Sequence, residues 1–243
     1  MLPSDATFDA TTRATLVAPD AGACQPAVPA LFGGEAVVLL PERALWWPAG
    51  GTLFVADVHL GKAATFRARG LPVPTGTTGD NLARLARLLE RYRAGRLVVL
   101  GDFLHAAEAH TAPLLQALAA WRQQWGAVDM VLVRGNHDSH AGDPPPGLGI
   151  TTVDEPWLLG PFACCHHPQA HATHHVLAGH LHPAVQLRGS ARDALRLPCF
   201  SAEPGLTVLP AFGAFTGACT LPPAPGRAFY AIGADRVWPV PPG

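Results

Sequence analysis

The sequence predicts an α/β fold, a four-layer α/β/β/α sandwich in which two mixed β-sheets pack face to face with helices outside. Strand and helix signals alternate as β-α-β-α-β from Leu53 to Asp138, with crossovers long enough for parallel pairing. After a break at "GDPPPGLG", strand signals dominate. With 243 residues, 49% of them hydrophobic and 14% charged, the chain can bury a substantial core.

Residues 1–30 are rich in Ala, Thr, Pro and Asp without periodicity and are expected to form a mobile tail, leaving 31–243 as one domain. From Glu35, "AVVLLP", "ALWWP" and "TLFVADVH" are short apolar runs punctuated by Pro and Gly, which suits consecutive strands. A helix is expected from Gly79 to Arg93, where Leu82, Leu85, Leu88, Leu89 and Tyr92 share one face and Arg84, Arg87 and Arg91 another. "RLVVLGDF" is continuously apolar, as a central strand covered on both faces must be. Thr111 can cap a second helix running to Trp125, with Pro113 tolerated in its first turn. "VDMVLVRGNHD" is again strand, glycine and polar cluster. Beyond the break, "WLLG", "FACCHH", "HHVLAGH", "AVQLRG", "LRLPCF", "TVLPAF" and a terminal pair around "RAFYAIGADRVWPV" are strand-like, and there is no internal repeat.

Composition removes several classes. No apolar run approaches the roughly 18 residues of a membrane span, and the N-terminus lacks the basic start and apolar block of a secretory signal, so a cytoplasmic protein is expected. Cys24, Cys164, Cys165, Cys199 and Cys219 are odd in number, form no C-x-x-C pair and are expected as reduced, mostly buried thiols. A net charge of −1 makes no overall case for a nucleic-acid partner, yet eight basic residues and only two acids lie between Leu60 and Arg96. All twelve histidines fall between His59 and His182, seven of them from His166 onward, a confinement that a solvated surface does not explain.

Five polar clusters each follow an apolar strand: Asp57 with His59; Asp102; Asn136 with His137; His166 with His167; and His180 with His182. C-terminal strand ends of an α/β sheet open into a crevice, so clusters far apart in sequence can converge there. Carboxylates, imidazoles and an Asn carbonyl suit Mn, Fe, Zn or similar divalent ions, and the lack of well-placed cysteines argues against a thiolate zinc site. A lone D-x-H is usually chance; five such clusters in this order are not. If the strand extends through Asp57 and His59, their spacing points both to one side.

With "DVHLGK", "GDFLH", "GNHD", "CHHP" and "GHLHP" in that order, the sequence resembles the calcineurin-like metallophosphoesterase superfamily over about residues 35–240. More narrowly, "PERALWWP", "TLFVADVHLGKAATFRARGLPVP", "LGPFACCHHP", "LAGHLHPAV" and "LPAFGAFTG" are similar to the bacterial ligase-associated DNA damage response endonuclease family called PdeM. That resemblance implies two divalent metal ions, Mn2+ foremost, with Zn2+, Fe2+, Mg2+ or Ni2+ as alternatives. It implies Asp57, His59 and His182 around one ion, Asn136, His166 and His180 around the other, and Asp102 bridging both. Such ions would lower the pKa of a shared water toward about 7 and clamp phosphate oxygens for in-line attack. His137 matches the position that stabilises the phosphoryl group or protonates the leaving oxygen, and Asp138 is expected to orient its ring. The implied reaction is phosphodiester hydrolysis in DNA repair, with DNA as substrate and an ATP-dependent DNA ligase and a helicase as associates.

Lys62, the only lysine, follows the first cluster with Arg67 and Arg69, and these three are expected to contact phosphate, with Gly61 giving room. Arg84, Arg87 and Arg91 are expected on a solvated face, and Trp46 and Trp47 in the core. His167 competes with His166 as a ligand, and the position directly after the strand favours His166. His105 is expected behind the ligands, His171, His174 and His175 in a loop, and His110 and His140 without chemical duty. Two other functions fit the pattern: a phosphodiesterase or phosphatase of small nucleotides or phosphorylated metabolites, and a non-catalytic module with the same fold. The full ligand set together with His137 counts against the second.

Overall fold

The computed structural model describes residues 26–68, 70, 76–106, 111–188, 194–214 and 216–241. Seven strands form the first sheet in chain order: β1 (Val28–Phe32), β2 (Glu35–Leu40), β3 (Ala44–Trp47), β4 (Thr52–Val55), β5 (Arg96–Leu100), β6 (Asp129–Val133) and β7 (Ile150–Val153). β1 to β4 are antiparallel and joined by short turns, whereas β4 to β7 are parallel. Parallel neighbours need long crossovers. α1 (Lys62–Ala68) and α2 (Thr77–Tyr92) supply the first, α3 (Ala112–Gln124) the second, and α4 (Asn136–Ala141) lies in the third.

The continuous apolar character of β5 has a simple cause. Leu97 and Val99 cluster with Leu53, Val55, Met130 and Leu132 against Leu82, Leu85, Leu88 and Leu89 of α2 and Leu114, Leu118 and Trp121 of α3. The alternate residues Val98 and Leu100 join Phe54, Val131 and Val133 against Phe162, Leu177 and Phe200 of the second sheet. Each such side chain, fully buried, stabilises by about 1.5–3 kcal/mol relative to exposure. The capping of α3 is as expected, with the Thr111 side chain accepting from Leu114 N at 3.4 Å and proline in the first turn.

The second sheet runs β14 (Cys219–Thr220), β11 (Pro183–Arg188), β12 (Ala194–Glu203), β13 (Leu206–Val208), β10 (His175–Ala178), β9 (Phe162–Cys164), β8 (Trp157–Leu159), with β15 (Ala228–Gly233) and β16 (Arg236–Val240) attached through β12. Two mixed sheets with flanking helices are therefore present, and α2 and α3 cover the first. Over the outer face of the second sheet the described residues form no helix, because this part of the chain turns through short loops without a helical apolar stripe. The segments α1 and α4, of 7 and 6 residues, are too short for periodicity to register.

The tail expected over residues 1–30 lies outside the described residues as far as 25, but its end is corrected. Val28, Pro29 and Ala30 belong to β1, opposite Leu39, Val38 and Val37. Cys164, Cys165 and Cys199 are buried free thiols and Cys219 is an exposed one, while Cys24 falls outside the described residues. Among the described residues no helix is long and apolar enough to cross a membrane.

Candidate metal centre

Beyond their strands, the chains leaving β4 and β5 continue side by side. Asp57 N donates to Gly101 O at 3.1 Å, His59 N to Asp102 O at 2.9 Å and Leu60 N to Phe103 O at 2.8 Å. From the second sheet, β9 delivers His166 and β10 delivers His180 and His182, with Gly179 N donating to His166 O at 3.1 Å. A segment after β13 ties the sheets together: Leu209 N donates to Ala178 O at 2.8 Å, Phe212 N to Ala56 O at 2.8 Å and Gly213 N to Asp57 O at 3.0 Å. All five polar clusters thus meet at C-terminal strand ends.

The backbone there is not extended. Strand β4 ends at Val55, and Asp57, His59, Asp102, His180 and His182 have φ of 53°, 49°, 52°, 69° and 47°. Strand alternation therefore does not explain how Asp57 and His59 point together; left-handed turns do. Each such non-glycine residue costs on the order of 1 kcal/mol, a strain that persists only where surrounding bonds over-determine it and that concentrates at functional sites.

Motif glycines allow close approach, Gly135 and Gly179 at the two carboxylates and Gly101 at the His166 ring. A Cβ on Gly135 would stand 2.4 Å from Asp102 Oδ1 and 2.5 Å from Asp102 N, and one on Gly179 would stand 2.8 Å from Asp57 Oδ2. Gly135→Ala should therefore displace the Asp102 carboxylate and lower hydrolysis about 100-fold, since angstrom-scale misplacement has that effect. Kinetics of the folded variant check it, with wild-type turnover as the contrary result.

Backbone carbonyls fix three ring tautomers. His166 Nδ1 donates to Leu100 O at 3.2 Å, His182 Nδ1 to Gly217 O at 3.0 Å and His137 Nδ1 to His105 O at 2.8 Å. The opposite nitrogens face the centre. His166 Nε2 stands 2.9 Å from Asn136 Oδ1, 3.1 Å from His180 Nδ1 and 3.5 Å from Asp102 Oδ1. His182 Nε2 stands 3.4 Å from both Asp57 Oδ1 and His59 Nε2, and His59 Nε2 lies 3.8 Å from Asp102 Oδ2. Asp57 also accepts from His180 N at 3.0 Å.

The donor chemistry fits divalent cations. Burial, then Lys62 and neighbouring rings, drive the His59 pKa down to about 2, and burial lowers His166 and His180 as well. His182 is lowered by burial but raised on balance, because its bond to Asp57 and that carboxylate's charge outweigh it. Burial and then Asp57 raise the Asp102 pKa. Two buried carboxylates whose oxygens face lone pairs of mostly neutral rings repel one another, and a bound cation reverses that. The donor atoms of Asp57, His59 and His182 lie within 4.8 Å of one another, as do those of Asp57, Asp102 and His166.

Several expectations are corrected. The Asp138 carboxylate, fully buried, does not orient the His137 ring; it accepts from Phe103 N at 3.0 Å, Leu104 N at 3.1 Å and Gly135 N at 3.0 Å. It clamps the turn after β5 to the turn after β6, and burial pushes its pKa up to about 6. The His137 ring is oriented by the His105 carbonyl. His105 itself lines the site, its ring stacked on His137 at 5.0 Å and edge-on to His59 at 5.3 Å. His175 is a core residue of β10, stacked on Phe32 at 5.2 Å and 2.9 Å from Thr207 Oγ1. Arg84 is half-buried, its guanidinium 3.9 Å from the Phe212 ring centroid and donating to Phe212 O.

His166 sits at the convergence, whereas exposed His167 turns to Glu155, with Nδ1 2.6 Å from Oε1. Lys62 is half-buried near both acids; burial lowers its pKa against the pull of Asp102 and Asp57. Arg67 lies on α1, and Arg69 and His110 fall outside the described residues. His171 and His174 lie in the turn before β10 and His140 is exposed. Arg87 is exposed, Arg91 pairs with Glu42 at 2.7 Å, Trp46 is half-buried and Trp47 is buried.

Glu155 was not anticipated. Its carboxylate accepts from His166 N at 2.6 Å and His167 N at 2.9 Å. The antiparallel β8–β9 pair, with Trp157 opposite Cys164, returns the chain to it; an acid just before a strand hairpin was the available signal. Burial raises its pKa, and bonds from His167 and the two amides outweigh burial and lower it overall. Glu155→Ala should destabilise by about 1 kcal/mol, since the donors it orphans are part-buried at His166 N and exposed at His167 N. A carboxyl lowered in the fold contributes stability above its ordinary value of 4.5 and loses it as pH falls through the folded pKa, so the difference in thermal melts should shrink in acid.

A two-sheet sandwich with carboxylates, an asparagine and imidazoles converging at its strand ends defines a metal-dependent phosphoesterase. The sequence model of the calcineurin-like phosphoesterase family matches residues 52–167, from β4 through His167. A crystal structure of the Pseudomonas putida nuclease MPE is similar, at 47% identity with a TM-score of 0.79, covering 88% of this chain and 100% of that one. No curated protein matches the chain. The chain belongs to the calcineurin-like phosphoesterase family and is a metal-binding hydrolase of phosphate esters.

Proposed function

We propose that the protein is a dinuclear metal-dependent nuclease that hydrolyses phosphodiester bonds of DNA, in repair linked to an ATP-dependent ligase and a helicase. Asp57, His59 and His182 would hold one divalent ion and Asn136, His166 and His180 the other, with Asp102 shared between them. One observation supports this most: the Asp102 oxygens face both halves, Oδ2 standing 3.8 Å from His59 Nε2 and Oδ1 3.5 Å from His166 Nε2. The similarity to a solved nuclease favours a polynucleotide over a small ester.

Divalent ions, Mn2+ foremost, supply Lewis-acid stabilisation of phosphate oxygens and activation of water near neutral pH. The chain's residues do the remainder. His137 Nε2 stands 4.0 Å from Asp102 Oδ2 on a ring 39% exposed, so it can reach an arriving phosphate. With Nδ1 committed to a carbonyl, Nε2 is the atom that can carry a proton to a leaving oxygen. Lys62 brings a cation beside the two acids.

The test is cleavage of single-stranded, double-stranded and nicked DNA, beside a small phosphodiester, by protein stripped and reloaded with Mn2+, Zn2+, Fe2+, Mg2+ or Ni2+. Polymer cleavage under subsaturating conditions should weaken linearly with log salt, by about 0.7 per phosphate contact on a single strand, while the small ester should not. Hydrolysis of the small ester alone would overturn the nuclease reading.

A further inference from the structure

We infer that a nucleic-acid strand cut at the metal centre lays a neighbouring phosphate in the cavity beyond His182, between Arg43 and Arg196. The inference rests on the nuclease reading. The cavity, of about 180 Å³, shares His182 with the centre and is lined by Arg43, Arg196 and Thr216, with no carboxylate among the described residues that line it. Arg43 occupies the β2–β3 turn in a left-handed conformation, φ 65°, and is half-buried. Its Nη1 donates to Ala211 O at 3.2 Å and Gly213 O at 3.5 Å. Among the described residues, the rest of its fork has no hydrogen-bond partner and no acid pairs with it. Arg196 is exposed on β12, opposite Gln186 of β11. Arg84, bound to Phe212 O, reinforces the same segment with a third guanidinium.

A half-buried cation without a carboxylate is unfavourable on its own and becomes favourable when an anion arrives. A guanidinium fork matches two phosphate oxygens at once. A scissile phosphate at the centre has its neighbour one nucleotide along the strand, and this cavity adjoins the centre on the His182 side. Lys62, beside His59, and this cavity, beside His182, flank the same half of the centre.

Anisotropy of a fluorescein-labelled oligothymidylate across a salt series, with and without Mn2+, tests this. Arg196→Ala should weaken binding about 5-fold and reduce the log–log salt slope by about 0.7, one phosphate contact, with Arg196→Lys recovering most of both. Arg43→Lys, which keeps charge and reach but not the fork, should weaken binding about 3-fold while melting as a folded protein. In turnover, the ratio of kcat/KM for oligothymidylate to that for bis(p-nitrophenyl) phosphate should fall about 5-fold in Arg196→Ala. Wild-type affinity and slope in Arg196→Ala, or a parallel fall on both substrates, overturns the track while leaving the nuclease standing. If the wild type hydrolyses bis(p-nitrophenyl) phosphate but no oligonucleotide, the nuclease and the track fall together.

Discussion

Asp102→Ala should lose both metal ions under conditions where the wild type holds two, and hydrolysis should fall on the order of 1,000-fold or more, about 4 kcal/mol of lost transition-state stabilisation. The size of the effect follows from position. Asp102 is buried, its two oxygens face His59 and His166, and Oδ1 accepts from His137 N at 2.9 Å. Alanine therefore removes charge from both halves of the site and orphans the His137 amide, itself a loss of about 1–3 kcal/mol. Asp102→Asn separates these effects, because it retains an acceptor for that amide and removes only the charge. Burial and the nearby Asp57 charge both disfavour ionised Asp102, so in chelator the asparagine variant should melt at or above the wild type. Calorimetric titration with Mn2+ and thermal melts give the answer. Two ions retained at wild-type affinity in Asp102→Ala would contradict the bridge.

The sequence exposed this site because each functional group directly follows an apolar strand, and parallel strands present their C-terminal ends together. The donor types could be read from the residues alone; their pairing around two ions came from family resemblance. What stayed hidden depends on contacts between distant segments. Glu155 acquires its role because a hairpin returns His166 to it, and Asp138 spends its carboxylate on amides of a loop some 35 residues away rather than on its neighbour His137. His175 looks like one more loop histidine until β10 places it between Phe32 and Thr207. The left-handed turns at Asp57 and His59 are equally hard to read, since Asp and His are enriched at positive φ but still adopt it in only a small minority of positions. Arg43 gains meaning only when the segment at 211–213 crosses between the sheets.

His137→Ala should keep both ions and lower turnover on DNA about 100-fold, within the range for loss of a positioned acid–base group. Its ring is held by the His105 carbonyl and stacked on the His105 ring, and its side chain is not required to complete either half of the donor set. The two roles open to His137 differ in leaving-group dependence. An acid that protonates the departing oxygen matters greatly for the alkoxide of a DNA bond and little for p-nitrophenolate, which leaves without a proton. A group that steadies the phosphoryl oxygens matters for both. Comparing His137→Ala on oligothymidylate and on bis(p-nitrophenyl) phosphate should show a much larger loss on the oligonucleotide, because Nδ1 is held by a carbonyl and Nε2 is the nitrogen on the open side, from which a doubly protonated ring delivers its proton. Equal losses would assign His137 to the phosphoryl oxygens, and no loss on either substrate would remove it from catalysis.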